Sequence, residues 1–103
     1  MEESDEAAVA QARAGDQEGF RVLVDRHSRS VFRLAYRMTG NEHDAEDLVQ
    51  EALLRAFKAF HGFRGADARA WLLAIVRNAC YTWLRRARTG EVATVFDEES
   101  CGN

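Results

Sequence analysis

No proline interrupts the 103 residues of this chain, and its seven glycines fall almost only between segments whose apolar residues recur at three- and four-residue steps. Proline inside a helix removes a hydrogen bond and clashes with the preceding turn, so a chain without it can run long helices unbroken. No segment alternates apolar and polar residues as a half-buried strand does, and no hairpin turn signal is present. The chain is therefore expected to be all-α, a compact bundle of about four helices. Its 47% hydrophobic content supports one modest core without help from a metal or a disulfide.

Each helix is bounded by its own signals. Residues 5–14 are strong helix formers with acids at the start, and Gly15 stops them. Asp16 is the expected cap of a second helix whose inward positions are Phe20, Leu23, Val24, His27, Val31, Leu34, Ala35 and Met38, ended by Gly40. Asn41 is the expected cap of a third, with Glu42, Asp44, Glu46 and Asp47 in its first turns. Ala45, Leu48, Val49, Ala52, Leu53, Ala56, Phe57 and Phe60 lie beneath, and Gly62 closes the run. Phe63 to Asp67 reads as a loop. Asp67 caps a fourth helix running to about Arg88, with Trp71, Leu72, Ile75, Ala79, Cys80 and Trp83 facing inward and Gly90 as terminator. Glu91 to Asn103 has no sustained period and the composition of a linker or tail.

The net charge of −3 hides a dipolar molecule. Residues 1–51 carry 12 acidic and 6 basic side chains, residues 52–90 carry one acidic and eight basic, and residues 91–103 carry four acids. Phosphates respond to the field within a Debye length of about 8–10 Å, so the acidic whole-chain balance does not exclude nucleic acid as a partner of the basic segment.

Several function classes find no support. Cys80 lies in an apolar helical pattern and Cys101 in a polar tail, so no disulfide is expected and the cytoplasm is the default compartment. No run approaches the roughly 18 apolar residues of a membrane span, and the acidic start is unlike a signal peptide. Ser4, Ser28, Ser30 and Ser100 have no base in a nucleophile motif, and no glycine-rich phosphate loop follows a strand, so catalysis is not expected. Glu42, His43, Glu46 and Asp47 match no closed metal set and are better read as electrostatics at a helix start; no metal or other cofactor is expected. His27 falls on the core stripe and is expected to be hydrogen-bonded inside, and His61 sits at a helix end, where a cation is favoured.

Three motifs occur in order: Asp44-Ala-Glu-Asp-Leu-Val-Gln-Glu51, the Phe63-Arg-Gly loop, and Ala70-Trp-Leu-Leu-Ala-Ile-Val-Arg-Asn78 leading into Leu84-Arg-Arg86. In this the chain resembles region 2 of bacterial RNA polymerase sigma factors of the extracytoplasmic-function (ECF) type within the sigma-70 family, from Phe20 to about Arg88. The resemblance implies a helical domain whose third helix docks on the clamp coiled coil of the largest subunit of RNA polymerase core. It also implies that the loop and fourth helix engage the non-template strand of the minus-ten promoter element, capturing a base turned out of the stack. Unstacking a base costs a few kcal/mol, which a fitted pocket and phosphate neutralisation offset without covalent chemistry.

On the third helix the expected polymerase contacts are Asp44, Asp47, Leu48, Gln50, Glu51 and Leu54, which combine acceptors with an apolar contact for a basic partner helix. Acids in a first turn also serve helix stability alone. The expected DNA contacts are Arg64, Arg69, Arg77, Asn78, Arg85 and Arg86, guanidinium groups for phosphates and an amide that both donates and accepts toward a base. Trp71 and Trp83 fall on the apolar stripe and are read as core rather than stacking platforms. The loop Arg64-Gly-Ala-Asp-Ala-Arg69 is shorter than in many relatives and lacks an extra aromatic, so the captured base does not carry over.

The organisation expected is a sigma region 2 helical domain at residues 1–90 and an acidic linker or tail at 91–103. Family members continue into a second, helix-turn-helix domain for the minus-thirty-five element, which is not expected in these 103 residues; the chain is then either an excised domain, the favoured expectation, or a truncated member. Such a domain alone is expected to bind polymerase weakly and duplex promoter DNA hardly at all. An anti-sigma factor is a further partner that the resemblance implies; no membrane partner is expected. The competing reading is a helical adaptor that binds polymerase or an anti-sigma factor without touching DNA, and salt-sensitive binding of single-stranded promoter DNA separates the two.

Overall fold

The computed structural model describes residues 4–63 and 67–89. Arg64, Gly90, Cys101 and the proposed linker at 91–103 lie outside these described residues. Within them four α-helices run in order: α1 (Glu6–Arg13), α2 (Gln17–Thr39), α3 (Glu42–Ala59) and α4 (Ala68–Thr89), with a one-turn 3-10 segment, Phe60–Gly62, after α3. Among the described residues there is no strand.

The caps are those that the sequence announces. Asp16 accepts a hydrogen bond from the Glu18 amide at 3.0 Å, Asn41 from the Asp44 amide at 2.9 Å, and Asp67 from the Ala70 amide at 2.9 Å. Each satisfies an otherwise orphaned N–H and is worth about 1 kcal/mol. Gly40 ends α2 in the left-handed region (φ 71°), its amide donating to the Tyr36 carbonyl at 2.8 Å. One boundary differs from expectation. The α-helix of the third segment stops at Ala59, and Phe60–Gly62 tighten into the 3-10 turn, because Phe60 turns inward to the core.

Helices α2, α3 and α4 each pack against the other two. The buried face of α3 is largely alanine, Ala45, Ala52 and Ala56 with Leu48, which lets its neighbours approach closely. Leu23, Val31 and Ala35 of α2 and Leu72, Val76, Ala79 and Cys80 of α4 fill the space against it. The inward face of α4 is rotated from the expected one. Ala68 and Val76 are buried, whereas Trp71, Ile75 and Trp83 are only half-buried. The helix meets α2 on one flank and α3 on the other, so its apolar arc is wider than a single stripe.

At one end of the bundle an aromatic cluster ties three elements together. Phe60 has ring centroids 5.7 Å from Phe20, 5.2 Å from Phe63 and 5.3 Å from Trp71, and Phe63 and Trp71 lie 5.1 Å apart. Trp71 therefore packs within the protein, as its place on the apolar stripe implied.

Helix α1 folds back along α2, its last residue reaching this cluster. Its Ala8 and Val9 are buried, and Gly19 of α2 sits so close beneath it that a Cβ there would fall 2.6 Å from both the Ala12 nitrogen and the Ala8 oxygen. Asp5, just before α1, receives Arg26 Nη1 at 2.6 Å on one oxygen and has His27 Nε2 at 2.7 Å from the other. His27 is thus the hydrogen-bonded interior histidine that its place on the stripe predicted.

Candidate functional site

Two faces of the bundle carry the residues singled out from the sequence. The first is the outer side of α3. Asp47, Gln50, Glu51 and Leu54 are spaced by three and four residues, which stacks them on one exposed face. Leu54 is 62% exposed and lines the same groove as the exposed Phe57, so the two are not scattered apolar residues. Asp44 is half-buried. Leu48 is a correction: it is 7% exposed and belongs to the core, so it supports this face from beneath and offers no surface of its own.

Beside that face an open groove of about 730 Å³ runs between α2 and α3, lined by Phe20, Val24, Gln50, Leu53, Leu54 and Phe57 with Gln17, Glu18 and Arg21 at its rim. Phe57, expected beneath α3, is 44% exposed on the groove wall, one edge of its ring meeting Phe20 at 5.3 Å. The contribution of α2 and the exposure of Phe57 are missing from the sequence reading. Position 57 satisfies the helical period of both the core and the groove, and periodicity alone does not separate them. Charges decorate the same face: Glu51 pairs with Arg55 at 2.8 Å and His43 lies 3.5 Å from Asp47. Both pairs are well exposed, so they add little stability and are open to exchange for a partner's charges.

The second face is on α4. Arg69, Arg77, Asn78, Arg85 and Arg86 are all exposed. They do not form one row. A shallow cleft of about 470 Å³ gathers Asn78, Arg85 and Arg88 with Tyr81, Thr82 and Leu84, and Arg77 flanks it by its four-residue step to Tyr81. Arg69 lies two turns nearer the start of the helix, and Arg86 points round from Arg85 by the 100° that separates neighbours on a helix. Arg64 falls outside the described residues. Tyr81, 53% exposed and set between Arg77 and Arg85 at four-residue spacing, was missed from the sequence. Its spacing from those two arginines is the signal that finds it. A phenol flanked by guanidinium groups offers a base a stacking surface and phosphates a neutralising field.

Burial raises the Asp5 carboxyl, but hydrogen bonds and charge from His27 and Arg26 overcome that and hold it below the ordinary carboxylate value. Burial pushes the Cys80 thiol up, so it is an inert core residue.

The chain spans about a fifth to a half of the length of the relatives described here. It is similar to the ECF RNA polymerase sigma factor SigG of Mycobacterium tuberculosis, 45% identical over 86 residues, covering 82% of this chain and 22% of that protein. It is also similar to SigM of the same species, 39% identical over 97 residues (93% of this chain, 50% of that protein), and to SigW of Bacillus subtilis, 35% identical over 81 residues (78% and 43%). Among solved structures it resembles an engineered region 2 of sigmaE, solved by NMR in complex with GTAAAA. The TM-score is 0.75 and the identity 31%, over 86% of this chain and 97% of that one. No described helix is long and apolar enough to cross a membrane. Residues 23–89, which hold both exposed faces, match the Sigma-70 region 2 family, and the chain belongs to that family.

Proposed function

We propose that this chain is the promoter-recognition domain of an alternative, ECF-type sigma factor, working as a transcription initiation factor and not as an enzyme. The outer face of α3 docks on the clamp coiled coil of RNA polymerase core through Asp47, Gln50, Glu51 and Leu54, with Asp44 at its edge. The apolar groove lined by Phe57 and Val24 receives the flank of the partner helix. The α4 cleft and the loop before it take the non-template strand of the minus-ten element. Asn78 reads a base edge, Tyr81 offers its ring to a base, and Arg77 and Arg85 neutralise phosphates. Arg69 and Arg86 extend this field to either side, and Arg64, outside the described residues, is a further phosphate contact in this reading. This reading assigns residues 1–90 to the domain and 91–103, outside the described residues, to an acidic linker or tail; an anti-sigma factor that masks either face is the expected regulator.

The observation that carries this reading is the division of labour within one small bundle. An exposed apolar and acidic surface and an exposed basic and aromatic surface lie on different helices, so both partners can be held at once. The likeness to a sigmaE region 2 that was solved with a hexanucleotide supports the nucleic-acid half. A protein without a motor assists melting in this way by binding the open strand and shifting the equilibrium.

Fluorescence anisotropy with a labelled non-template strand from a randomised minus-ten pool, with and without polymerase core, tests it. Core-dependent, salt-sensitive selection of a short motif, lost in the double variant Asn78→Ala, Arg77→Ala, is the expected result. Core binding with no selection at any salt concentration would leave an adaptor in its place.

A further inference from the structure

Helix α1 lies outside the segment that matches the family, residues 23–89, yet it is fastened at three points along its length. At its start the Asp5 carboxylate bridges Arg26 and His27 of α2. In its middle Ala8 and Ala12 rest on the bare backbone of Gly19. At its end Arg13 reaches across the bundle: its Nε donates to the Phe63 carbonyl at 3.1 Å, and its guanidinium carbon lies 5.5 Å from the Phe63 ring centroid. Residue 63 is fifty positions away in sequence, so this contact is purely tertiary.

Phe63 is the point where the chain leaves the α3 side for the α4 side. It is 5% exposed, packed on Phe60 and Trp71, and Asp67 caps α4 just beyond it. A backbone carbonyl held by a charged donor and a ring held from above leave little freedom in the residue at which the chain turns from the α3 side to α4, whose first turn carries Arg69. We infer that α1 is a strut for that turn and that Arg13 is a positioning residue for promoter selection, acting through Phe63 without touching DNA itself. The first two fastenings give the strut its rigidity, and Arg13 delivers it. The inference rests on the reading of the α4 side as the strand-binding face.

The test uses the full chain with polymerase core and three proteins: wild type, Arg13→Ala and Arg13→Lys. Three quantities are read: the affinity ratio between the selected single strand and a scrambled strand of the same composition, the affinity for core, and amide hydrogen exchange from Phe63 to Trp71. Arg13→Ala is expected to lower the ratio about fivefold, the scale of one net hydrogen bond, with core affinity unchanged and exchange at Phe63 faster. Arg13→Lys, which keeps a cation for the ring and a donor for the carbonyl, recovers most of the ratio. Equal loss on both strands would make Arg13 a phosphate contact and overturn the inference, as would exchange at Phe63 that matches wild type. A wild-type protein that fails to select any strand sinks the functional reading instead, and the exchange result then still decides whether α1 is a strut.

Discussion

Replacing Gly19 by alanine reverses the usual sign of such a change. In the interior of an ordinary helix, Gly→Ala stabilises by about 1 kcal/mol because alanine gives up less backbone freedom. Here the new methyl group would stand 2.6 Å from Ala12 N, 2.6 Å from Ala8 O and 2.7 Å from Gln11 Cβ. Two of the three are backbone atoms, so no side chain can rotate out of the way. Ordinary contact begins near 3.4 Å, so α1 must retreat by about 0.8 Å. Overpacking of this kind costs about 1–3 kcal/mol. Subtracting the propensity gain leaves a net destabilisation of about 1 kcal/mol, or a fall in Tm of roughly 4–8 °C for a domain of this size. Circular dichroism during thermal and urea unfolding reads it, and hydrogen exchange along α1 should rise with it. A Gly19→Ala protein that is more stable than wild type would refute the close packing of α1 on α2, and with it the rigidity of the strut.

Leu54→Asp is expected to leave Tm unchanged, because the side chain is 62% exposed, while weakening binding to polymerase core tenfold or more in a pull-down or anisotropy titration. Leu72→Ala, at a position 1% exposed, should cost about 2–5 kcal/mol in urea unfolding by opening a cavity between the helices. Because the Asp5 carboxyl is held below its ordinary value of 3.8, its contribution to stability is complete above that pH and is lost as pH falls through the lowered value. The stability difference between wild type and Asp5→Asn should therefore shrink as pH falls below about 4; a difference undiminished well below that pH would contradict the bridge to Arg26 and His27.

Much of the frame was legible because its determinants are local. Asp16, Asn41 and Asp67 cap helices through their own side chains within three residues, and Gly40 ends α2 through its own positive φ. The exposed row Asp47, Gln50, Glu51 and Leu54 followed from spacing alone. Leu48 was placed both on the apolar stripe beneath the helix and among the surface contacts; its burial leaves it on the stripe, about 100° round the helix from Asp47. Phe57 and Tyr81 were assigned to the core or passed over because the three- and four-residue period identifies neighbours on a face and does not say how far a neighbouring helix extends over that face.

By itself the sequence determined the number of helices, their limits within a residue or two, the segregation of charge and the family. Each of these depends on capping, period and composition over a few consecutive turns. What only the tertiary structure decided is where faces end and which distant residues meet. Gly19 looks like a weak point in α2 until α1 is laid across it, and Arg13 looks like a last-turn cation until Phe63 arrives beneath it from fifty residues away. The Asp5 carboxylate finds Arg26 and His27 only because α1 folds back along α2. Such contacts are set by the packing of whole helices, whose geometry is a joint property of all their side chains and is written in no single stretch of the chain.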